Sequence, residues 1–278
     1  MNEECLQNLF RIAEELSRAG WAEANAGNIS VRLRPEEYPA DPAAGPWQPL
    51  AIAIPTLAGE QFLVTAKGCQ IRNVPHFPRR DCGVLELNGD GTAYRVVWGL
   101  VGSVPTSEFF AHLLSHAVRK EQSGGAERVI LHTHPVTLVA LCHVMELDSV
   151  KLTRLLWSMH PEGVSLFPGG IAYLPFALSG SREISAMTCE AFQKFSMVLW
   201  EYHGVFASGR DLDHAFGMIQ AAEKCANIYK AACELGGVTQ TLRDEEIAAM
   251  GGFLHLGPAR GVLKLLGGTK DAVWCRVY

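Results

Sequence analysis

Two histidines separated by one residue form the first pattern in the sequence that could support chemistry. His132 and His134 end the apolar segment RVILHTH, which is predicted to be a short buried strand over residues 128–134. Side chains alternate between the two faces of a strand, so both imidazoles would lie on the same face. Such a pair can bind one divalent metal ion. The chain has ten histidines, so an H-x-H pair can also arise by chance.

A third metal ligand would have to come from another part of the chain. His203 lies within residues 197–207, which are predicted to form one strand, and Gly204 leaves space beside it. Three histidines with one open coordination position are typical of a catalytic zinc, whereas structural zinc sites are closed. Other histidines fit the same role on pattern alone, so the residues leave this choice open.

Glu108 is the candidate general acid or base. It follows Pro105, Thr106 and Ser107, which predict the start of a helix that runs to about Lys120. Either hydroxyl residue can cap that helix, and an acid in the first turn can simply complement the helix dipole. Alternatively, burial beside a metal ion would tune the proton affinity of Glu108 for catalysis. The residues alone leave both interpretations open.

Two polar turns are candidates for binding a phosphate group. In the NAGN segment, Asn25 and Asn28 flank a glycine turn and can offer amide donors. In the TAKG segment, Thr65 supplies a hydroxyl and Lys67 a positive charge. Ordinary turns have the same composition, so neither segment requires a ligand.

Alternating helices and strands are predicted to position these residues. Apolar periodicity and turn residues predict helices at the N-terminus and over residues 105–120, from 135 onward, and over 149–159, 182–195, 212–235 and 244–250. Residues 24–33 are predicted to pass from a glycine-containing turn into a strand. Further strands are predicted over residues 62–66, 84–87, 94–98, 128–134, 164–167, 171–174 and 197–207. Residues 34–60 are rich in Pro, Ala and Gly and are predicted to form a surface excursion.

The order of these elements predicts an α/β fold. The NGDG segment between two strands is a strong hairpin signal and breaks a simple βαβ alternation. We therefore expect one three-layer α/β/α domain over residues 1–278, with a mixed, partly antiparallel central sheet covered by helices on both faces. The tail after about residue 257 is weakly patterned and remains unassigned.

Composition argues against several classes of partner. The formal net charge of −5 is mild and unclustered, so neither nucleic acid nor a membrane is expected as a partner. No apolar run reaches the roughly 18 residues of a membrane span, and the acid-containing N-terminus does not look like a signal peptide. The eight cysteines include no C-x-x-C pair, which favours reduced thiols in a cytoplasmic protein.

Taken in order, six segments resemble the class II aldolase/adducin-like family. They are NAGN at 25–28, VTAKG at 64–68, VWGL at 97–100, VPTSE at 104–108, HTH at 132–134, and LW with YHGVF between 199 and 206. The likeness runs from about Leu6 to about Ala259. No single motif is decisive, but the ordered set is specific to this family.

The resemblance implies a role for each candidate residue. One zinc ion per subunit would be bound by His132, His134 and His203. Glu108 would be the catalytic acid/base. The phosphate of the substrate would contact five side chains: Asn25, Asn28, Thr65, Thr106 and Ser107.

The resemblance also implies a cyclic homotetramer with active sites at subunit boundaries. Glu162 would reach a neighbouring subunit's site and help to handle the aldehyde half of the substrate. Lys67 departs from the family pattern, which usually has a small hydroxyl residue at this position. Its side chain either adds a positive charge to the phosphate site or points to solvent.

The implied reaction is the reversible cleavage of a small phosphorylated ketose between C3 and C4, which releases dihydroxyacetone phosphate and an aldehyde. The 34–60 excursion and the Trp98-Gly99-Leu100 segment favour the branch of the family that acts on L-rhamnulose 1-phosphate in rhamnose catabolism, with L-lactaldehyde as the aldehyde. Fuculose-phosphate aldolases, ribulose-phosphate 4-epimerases and sugar-phosphate dehydratases are the alternatives within the superfamily. A non-catalytic adducin-like interaction module would be expected to lack the metal histidines and Glu108.

Overall fold

The computed structural model describes residues 3–39 and 45–253. Its α-helices are α1 Glu3–Arg18, α2 Pro78–Asp81, α3 Phe109–Gln122, α4 Val136–Val144, α5 Ser149–Met159, α6 Pro161–Leu166, α7 Arg182–Phe192, α8 Leu212–Glu234 and α9 Asp244–Phe253. Its strands are β1 Asn28–Arg32, β2 Gln48–Pro49, β3 Gln61–Thr65, β4 Cys82–Leu87, β5 Ala93–Gly99, β6 Val129–Thr133, β7 Ala172–Leu174, β8 Met197–Trp200 and β9 Gly204–Gly209. No helix in these two ranges is both long enough and apolar enough to span a bilayer.

The nine strands form one mixed sheet in the order β2-β5-β4-β3-β1-β6-β9-β8-β7. Neighbouring strands from β2 to β6 pair antiparallel, as do β8 and β9, whereas β7 and β8 are parallel. Every residue of β3, β6, β8 and β9 is buried. Strands buried on both faces are typical of a sheet that is flanked by helices, so the predicted fold class is confirmed.

The described chain forms two compact units. The first contains Leu178–Cys189, Ser208–Ala215 and the described residues up to His134, and the second contains Pro135–Ala177, Glu190–Ala207 and the described residues from Phe216 onward. Three of the five boundaries between the units fall inside α7, β9 and α8, and the other two follow His134 and Ala177. These three elements therefore contribute residues to both units.

In the first unit, α1 provides an apolar face at helical spacing. Leu9, Ile12 and Leu16 are at most 1% exposed, and α1 lies against the 3-10 turn Ile71–Asn73. The predicted hairpin is also present in this unit. Asn88 closes its turn because the side-chain oxygen accepts the backbone N–H groups of the residues four and five positions later, at 2.8 and 2.9 Å.

In the second unit, a buried carboxylate caps α4. Glu223 of α8 is 5% exposed, and its two oxygens accept the backbone N–H groups of Thr137 and Leu138, each at 2.9 Å. The first N–H groups of a helix have no partner within the helix, and a carboxylate also complements the positive end of the helix dipole. The helix that begins just after His134 and Pro135 is thereby held to α8.

Residues 197–207 form a hairpin, and the prediction of one strand was wrong. Trp200 at the end of β8 pairs with Gly204 at the start of β9. The turn between them includes Tyr202 in the left-handed region, with φ of 59°. His203 therefore lies in a turn. The apolar pattern of the sequence continues without a break through this position, so it gave no sign that the chain reverses direction there.

Residues 164–167 were predicted to be a strand, but residues 164–166 belong to α6. Pro161 occupies the first turn of this helix, and the side chain of His160 accepts the backbone N–H of Glu162 at 3.1 Å. A short apolar run fits a strand and a buried helix equally well. The proline and the capping histidine decide in favour of the helix.

The 34–60 excursion has more structure than the sequence predicted. It contains β2 and the 3-10 turns Pro35–Glu37 and Pro55–Leu57, and Leu57 is fully buried. Residues 40–44 of the excursion lie outside the described residues. The same holds for the unassigned tail and for the end of the family likeness near Ala259.

Candidate active site

His132 and His134 lie at the end of β6, where their rings approach each other. Their Nε2 atoms are 3.3 Å apart, and His132 is 1% exposed. Thr133 between them donates its hydroxyl to the carbonyl of Trp21 at 2.6 Å, and the backbone N–H of His134 donates to the same carbonyl at 2.9 Å. One carbonyl thus fixes the end of the strand that carries both histidines.

The start of β1 approaches this strand end closely. Asn28 pairs with His132 in the antiparallel register of β1 and β6. One residue earlier, Gly27 has φ of 77°, and a Cβ atom there would lie 3.1 Å from the carbonyl oxygen of His132. A larger residue would be strained in this conformation, which explains the glycine of the NAGN segment without a ligand.

Glu23 orients the imidazole of His134. The Nδ1–H of His134 donates to Glu23 Oε1 at 2.8 Å, so the lone pair of the neutral ring lies on Nε2, the atom that faces His132. A carboxylate on the outer nitrogen is the usual partner of a metal-binding histidine. Glu23 was not predicted as part of the site, because nothing in the spacing of residues 23 and 134 marks them as partners.

His203 completes a group of three histidines. Its backbone N–H donates to the carbonyl of Trp200 at 3.1 Å, and the two rings meet edge-on with centroids 5.2 Å apart. The ligand nitrogens of His132, His134 and His203 all lie within 4.8 Å of one another. The histidines chosen in the sequence are therefore brought together.

Glu108 precedes α3, which begins at Phe109 and not at Pro105 as predicted. The correction has a physical cause: Pro105 forms a β-bridge with Ala66, and the N–H of Thr106 donates to the carbonyl of Thr65 at 3.0 Å. These residues are therefore tied to an extended segment. Glu108 takes the N-cap position, but its side chain caps no backbone N–H.

The carboxylate of Glu108 is buried against the histidine pair. Glu108 is 5% exposed, and its Oε2 lies 3.7 Å from His132 Nε2. Asn28 Nδ2 donates to Oε2 at 2.8 Å, and Ser179 Oγ donates to Oε1 at 2.6 Å. Burial raises the pKa of Glu108, but the positive charge of a protonated His132 and the two donors outweigh burial and hold the pKa at about 2.

Ser179 is a second residue that the sequence analysis missed. It lies in the irregular segment between β7 and α7, 71 positions from Glu108. No periodicity or motif marks a serine in such a segment. Only the folded chain shows that it contacts the candidate acid/base.

The residues predicted to bind phosphate lie in different environments. Asn25 and Ser107 are exposed, and Lys67 is exposed as well. Thr65 and Thr106 are buried, and their hydroxyls accept the backbone N–H groups of Ile29 at 3.1 Å and Glu108 at 3.4 Å, respectively. The predicted set therefore combines exposed side chains with hydroxyls that bond to the neighbouring backbone.

Glu162 lies apart from this cluster in the sequence and in secondary structure. It is exposed in the first turn of α6. Its backbone N–H donates to His160 Nδ1, and its side chain lies at the protein surface.

Comparison with known proteins gives consistent results. The family model of the class II aldolase and adducin N-terminal domain matches residues 7–230. The chain is 40% identical to a rhamnulose-1-phosphate aldolase of Klebsiella pneumoniae subsp. pneumoniae over 265 residues, which cover 94% of this chain and 96% of that protein. It is 39% identical to a rhamnulose-1-phosphate aldolase of Yersinia pestis over 263 residues, which cover 93% and 96% of the two chains.

A solved structure agrees with the sequence comparisons. The crystal structure of a sugar-phosphate aldolase from Thermotoga maritima superposes with a TM-score of 0.74 at 32% sequence identity, covering 84% of this chain and 97% of that one. The match extends over nearly the whole length of each relative. From the family match, the full-length relatives and the shared fold, we conclude that this chain belongs to the class II aldolase and adducin family and is a class II aldolase.

Proposed function

We propose that this chain reversibly cleaves L-rhamnulose 1-phosphate into dihydroxyacetone phosphate and L-lactaldehyde, in rhamnose catabolism. The observation that carries the proposal is a buried carboxylate, Glu108, placed 3.7 Å from one of three converging histidines. The substrate is taken from the relatives of Klebsiella and Yersinia, which are rhamnulose-1-phosphate aldolases. No observation favours the fuculose, ribulose or dehydratase alternatives.

The donor set fits one zinc ion per subunit. His132, His134 and His203 each offer a ring nitrogen, and three protein ligands leave one coordination position for substrate. Glu23 holds the ring of His134 in the orientation that a ligand needs. When bound, zinc supplies Lewis-acid polarisation of a substrate oxygen.

Glu108 then has a defined task. Cleavage breaks the C3–C4 bond, the electron pair stays with C3, and C4 becomes the aldehyde carbon as its hydroxyl loses a proton. The ionised carboxylate of Glu108 takes up that proton and delivers it to C3, and in the reverse direction it removes the proton from C3 and returns it to the aldehyde oxygen. Asn28 and Ser179 fix both oxygens of the carboxylate before substrate arrives.

The phosphate group of the substrate is proposed to bind to three segments that hydrogen bonds connect through Thr65. Thr65 accepts the N–H of Ile29 from the NAGN side and the N–H of Thr106 from the PTS side. The side chains proposed to contact the phosphate are Asn25, Asn28, Thr65, Thr106 and Ser107. Lys67 is exposed two residues after Thr65 and can add positive charge.

The assembly proposed is a homotetramer in which Glu162 serves the site of a neighbouring subunit. Glu162 is exposed, and none of the described residues forms an ion pair with it. An exposed carboxylate of this kind can act on the aldehyde half of a substrate bound by another chain.

The substrate is tested with a panel of phosphorylated sugars. The zinc-loaded protein should release dihydroxyacetone phosphate fastest from L-rhamnulose 1-phosphate, more slowly from L-fuculose 1-phosphate, and should not epimerise ribulose 5-phosphate. Coupled reduction of dihydroxyacetone phosphate measures cleavage, and chromatography of the pentose phosphates measures epimerisation. Preferential cleavage of fuculose 1-phosphate, or epimerisation without cleavage, would contradict the assignment.

The metal site is tested by His134→Ala. The variant should lose most of its bound zinc and its cleavage activity, because only two imidazoles would remain as ligands. Metal content is measured by mass spectrometry after gel filtration. His76→Ala, which removes an exposed histidine outside the site, is the control and should keep both zinc and activity. Full zinc content and turnover in His134→Ala would rule out this ligand.

The role of Glu108 is tested by Glu108→Gln, which keeps the size and polarity of the side chain but removes its base. If Glu108 is the acid/base, the kcat of this variant should be lower by about 10²-fold or more. If Glu108 only complements the helix dipole, the variant should instead lose roughly 0.3 to 1 kcal/mol of unfolding free energy and keep the turnover of the wild type. Steady-state kinetics and urea unfolding distinguish the two outcomes. Glu121→Gln, an exposed position on the same helix, is the matched control.

The shared site is tested by mixing two inactive variants. Glu162→Ala should lower turnover without changing zinc content. Tetramers reassembled from Glu162→Ala and Glu108→Gln chains should regain activity, because some sites combine an intact Glu108 with an intact Glu162 from the next chain. A Glu162 that served its own chain would give no rescue. Absence of recovered activity in tetramers shown to be mixed would therefore refute the shared site.

A further inference from the structure

A row of buried polar side chains continues from Glu108 into the interior of the first unit. Ser30, His112 and His116 are each at most 1% exposed, and the proposed reaction uses none of them. Apolar residues would fill the same space without the cost of burying polar groups. The polarity of these three side chains therefore requires a reason.

The row is built by two elements with matching periodicity. His112 and His116 of α3 and Glu108 at its N-cap are spaced four residues apart, so they lie on one side of the helix. Asn28 and Ser30 are two residues apart on β1, so their side chains lie on one face of the strand. The two sets alternate, and each member contacts the next.

The hydrogen bonds of this row are continuous. His116 Nε2 lies 2.7 Å from Ser30 Oγ, and Ser30 Oγ lies 2.6 Å from His112 Nδ1. His112 Nε2 bonds to Asn28 Oδ1, and Asn28 Nδ2 donates to Glu108 Oε2 at 2.8 Å. Four hydrogen bonds thus connect His116 to the candidate acid/base.

The direction of every bond follows from the ionised carboxylate. Glu108 Oε2 only accepts, so Asn28 must present its Nδ2–H there and its Oδ1 to His112. That oxygen also only accepts, so His112 carries its proton on Nε2 and accepts the hydroxyl proton of Ser30 at Nδ1. Ser30 then accepts from the Nε2–H of His116. All four donors therefore point toward Glu108.

Both histidines have the neutral form that this arrangement needs. Burial lowers the pKa of His112 to about 4, although the negative charge of Glu108 opposes the shift. Burial also lowers the pKa of His116 well below its usual value. A neutral imidazole has one donor and one acceptor, so it can accept a hydrogen bond at one ring nitrogen and donate one from the other.

We propose that His112, supported by Ser30 and His116, is a positioning residue that holds the amide of Asn28 in the orientation needed to present its N–H to Glu108. Without the Nε2–H of His112, only the carboxylate itself would distinguish the two ends of the amide. The flipped amide would place its oxygen against the carboxylate and push it away. The second hydrogen on Asn28 Nδ2 stays available for the proposed phosphate contact.

This inference rests on the proposed role of Glu108 and is tested by a double-mutant cycle. His112→Phe keeps a ring but removes both nitrogens. In the wild-type background it should lower kcat by about 10- to 100-fold, as expected for a misplaced catalytic group, with zinc content nearly unchanged. In the Glu108→Gln background the same substitution should have little further effect, because the group it positions is already inactive.

Two further variants separate positioning from general packing. His112→Gln can still donate to Asn28 Oδ1 and should retain more turnover than His112→Phe. Ser30→Ala removes two hydrogen bonds of the row with little change in side-chain volume. It replaces His112→Phe in the double-mutant cycle if His112→Phe fails to fold. Its matched control is Ser115→Ala on α3, because Ser115 is fully buried and its Oγ has no hydrogen-bond partner within the described ranges. Ser115→Ala should keep wild-type kcat.

The outcomes distinguish this inference from the proposed function. Two results would overturn the positioning role. One is an equal loss of kcat from His112→Phe in both backgrounds, and the other is wild-type turnover in His112→Phe while Glu108→Gln is impaired. The same criteria apply to Ser30→Ala if that variant replaces His112→Phe. Normal turnover in Glu108→Gln would instead refute the acid/base itself, and the positioning role with it. A loss confined to the wild-type Glu108 background, with partial recovery in His112→Gln, is the result expected.

Discussion

The antiparallel pairing of β1 with β6 is the contact on which the site depends. It places Asn28 directly beside His132, and so brings the residue that holds Glu108 next to the first histidine of the metal group. Register in a sheet is all or nothing, since a slip of one residue moves every side chain to the opposite face. The hydrogen bonds from Thr133 and His134 to the carbonyl of Trp21 prevent such a slip at the end of β6.

Burial gives this local geometry its chemical effect. Glu108 and His132 lie where little water reaches them, so each hydrogen bond and each charge acts more strongly than it would at the surface. The same burial requires every polar group in the row to have a partner. The two demands agree: the bonds that satisfy the interior also fix the orientation of the carboxylate.

The sequence predicts well what local pattern determines. The helix α8, the hairpin between β4 and β5, and the H-x-H pair at the end of β6 follow from periodicity, turn residues and strand alternation. His203 was identified through the family likeness, but its position in a turn was not predicted, because the apolar pattern runs unbroken through the hairpin. The sequence did not predict three further members of the site: Glu23, Ser179 and His112. Glu23 and Ser179 contact residues that are distant in the sequence, and His112 becomes a neighbour of Asn28 only when α3 packs on β1.

The three elements that run through both compact units limit how the chain can be divided. A fragment that ended at one of the three boundaries inside these elements would stop in the middle of α7, β9 or α8. The helices and the strand would then lose backbone partners along part of their length, and those carbonyl and N–H groups would need water or new partners. Circular permutation, fragment complementation and domain exchange in this protein are therefore better attempted at the exposed turns between elements, such as the one after Asn88, than at these three boundaries.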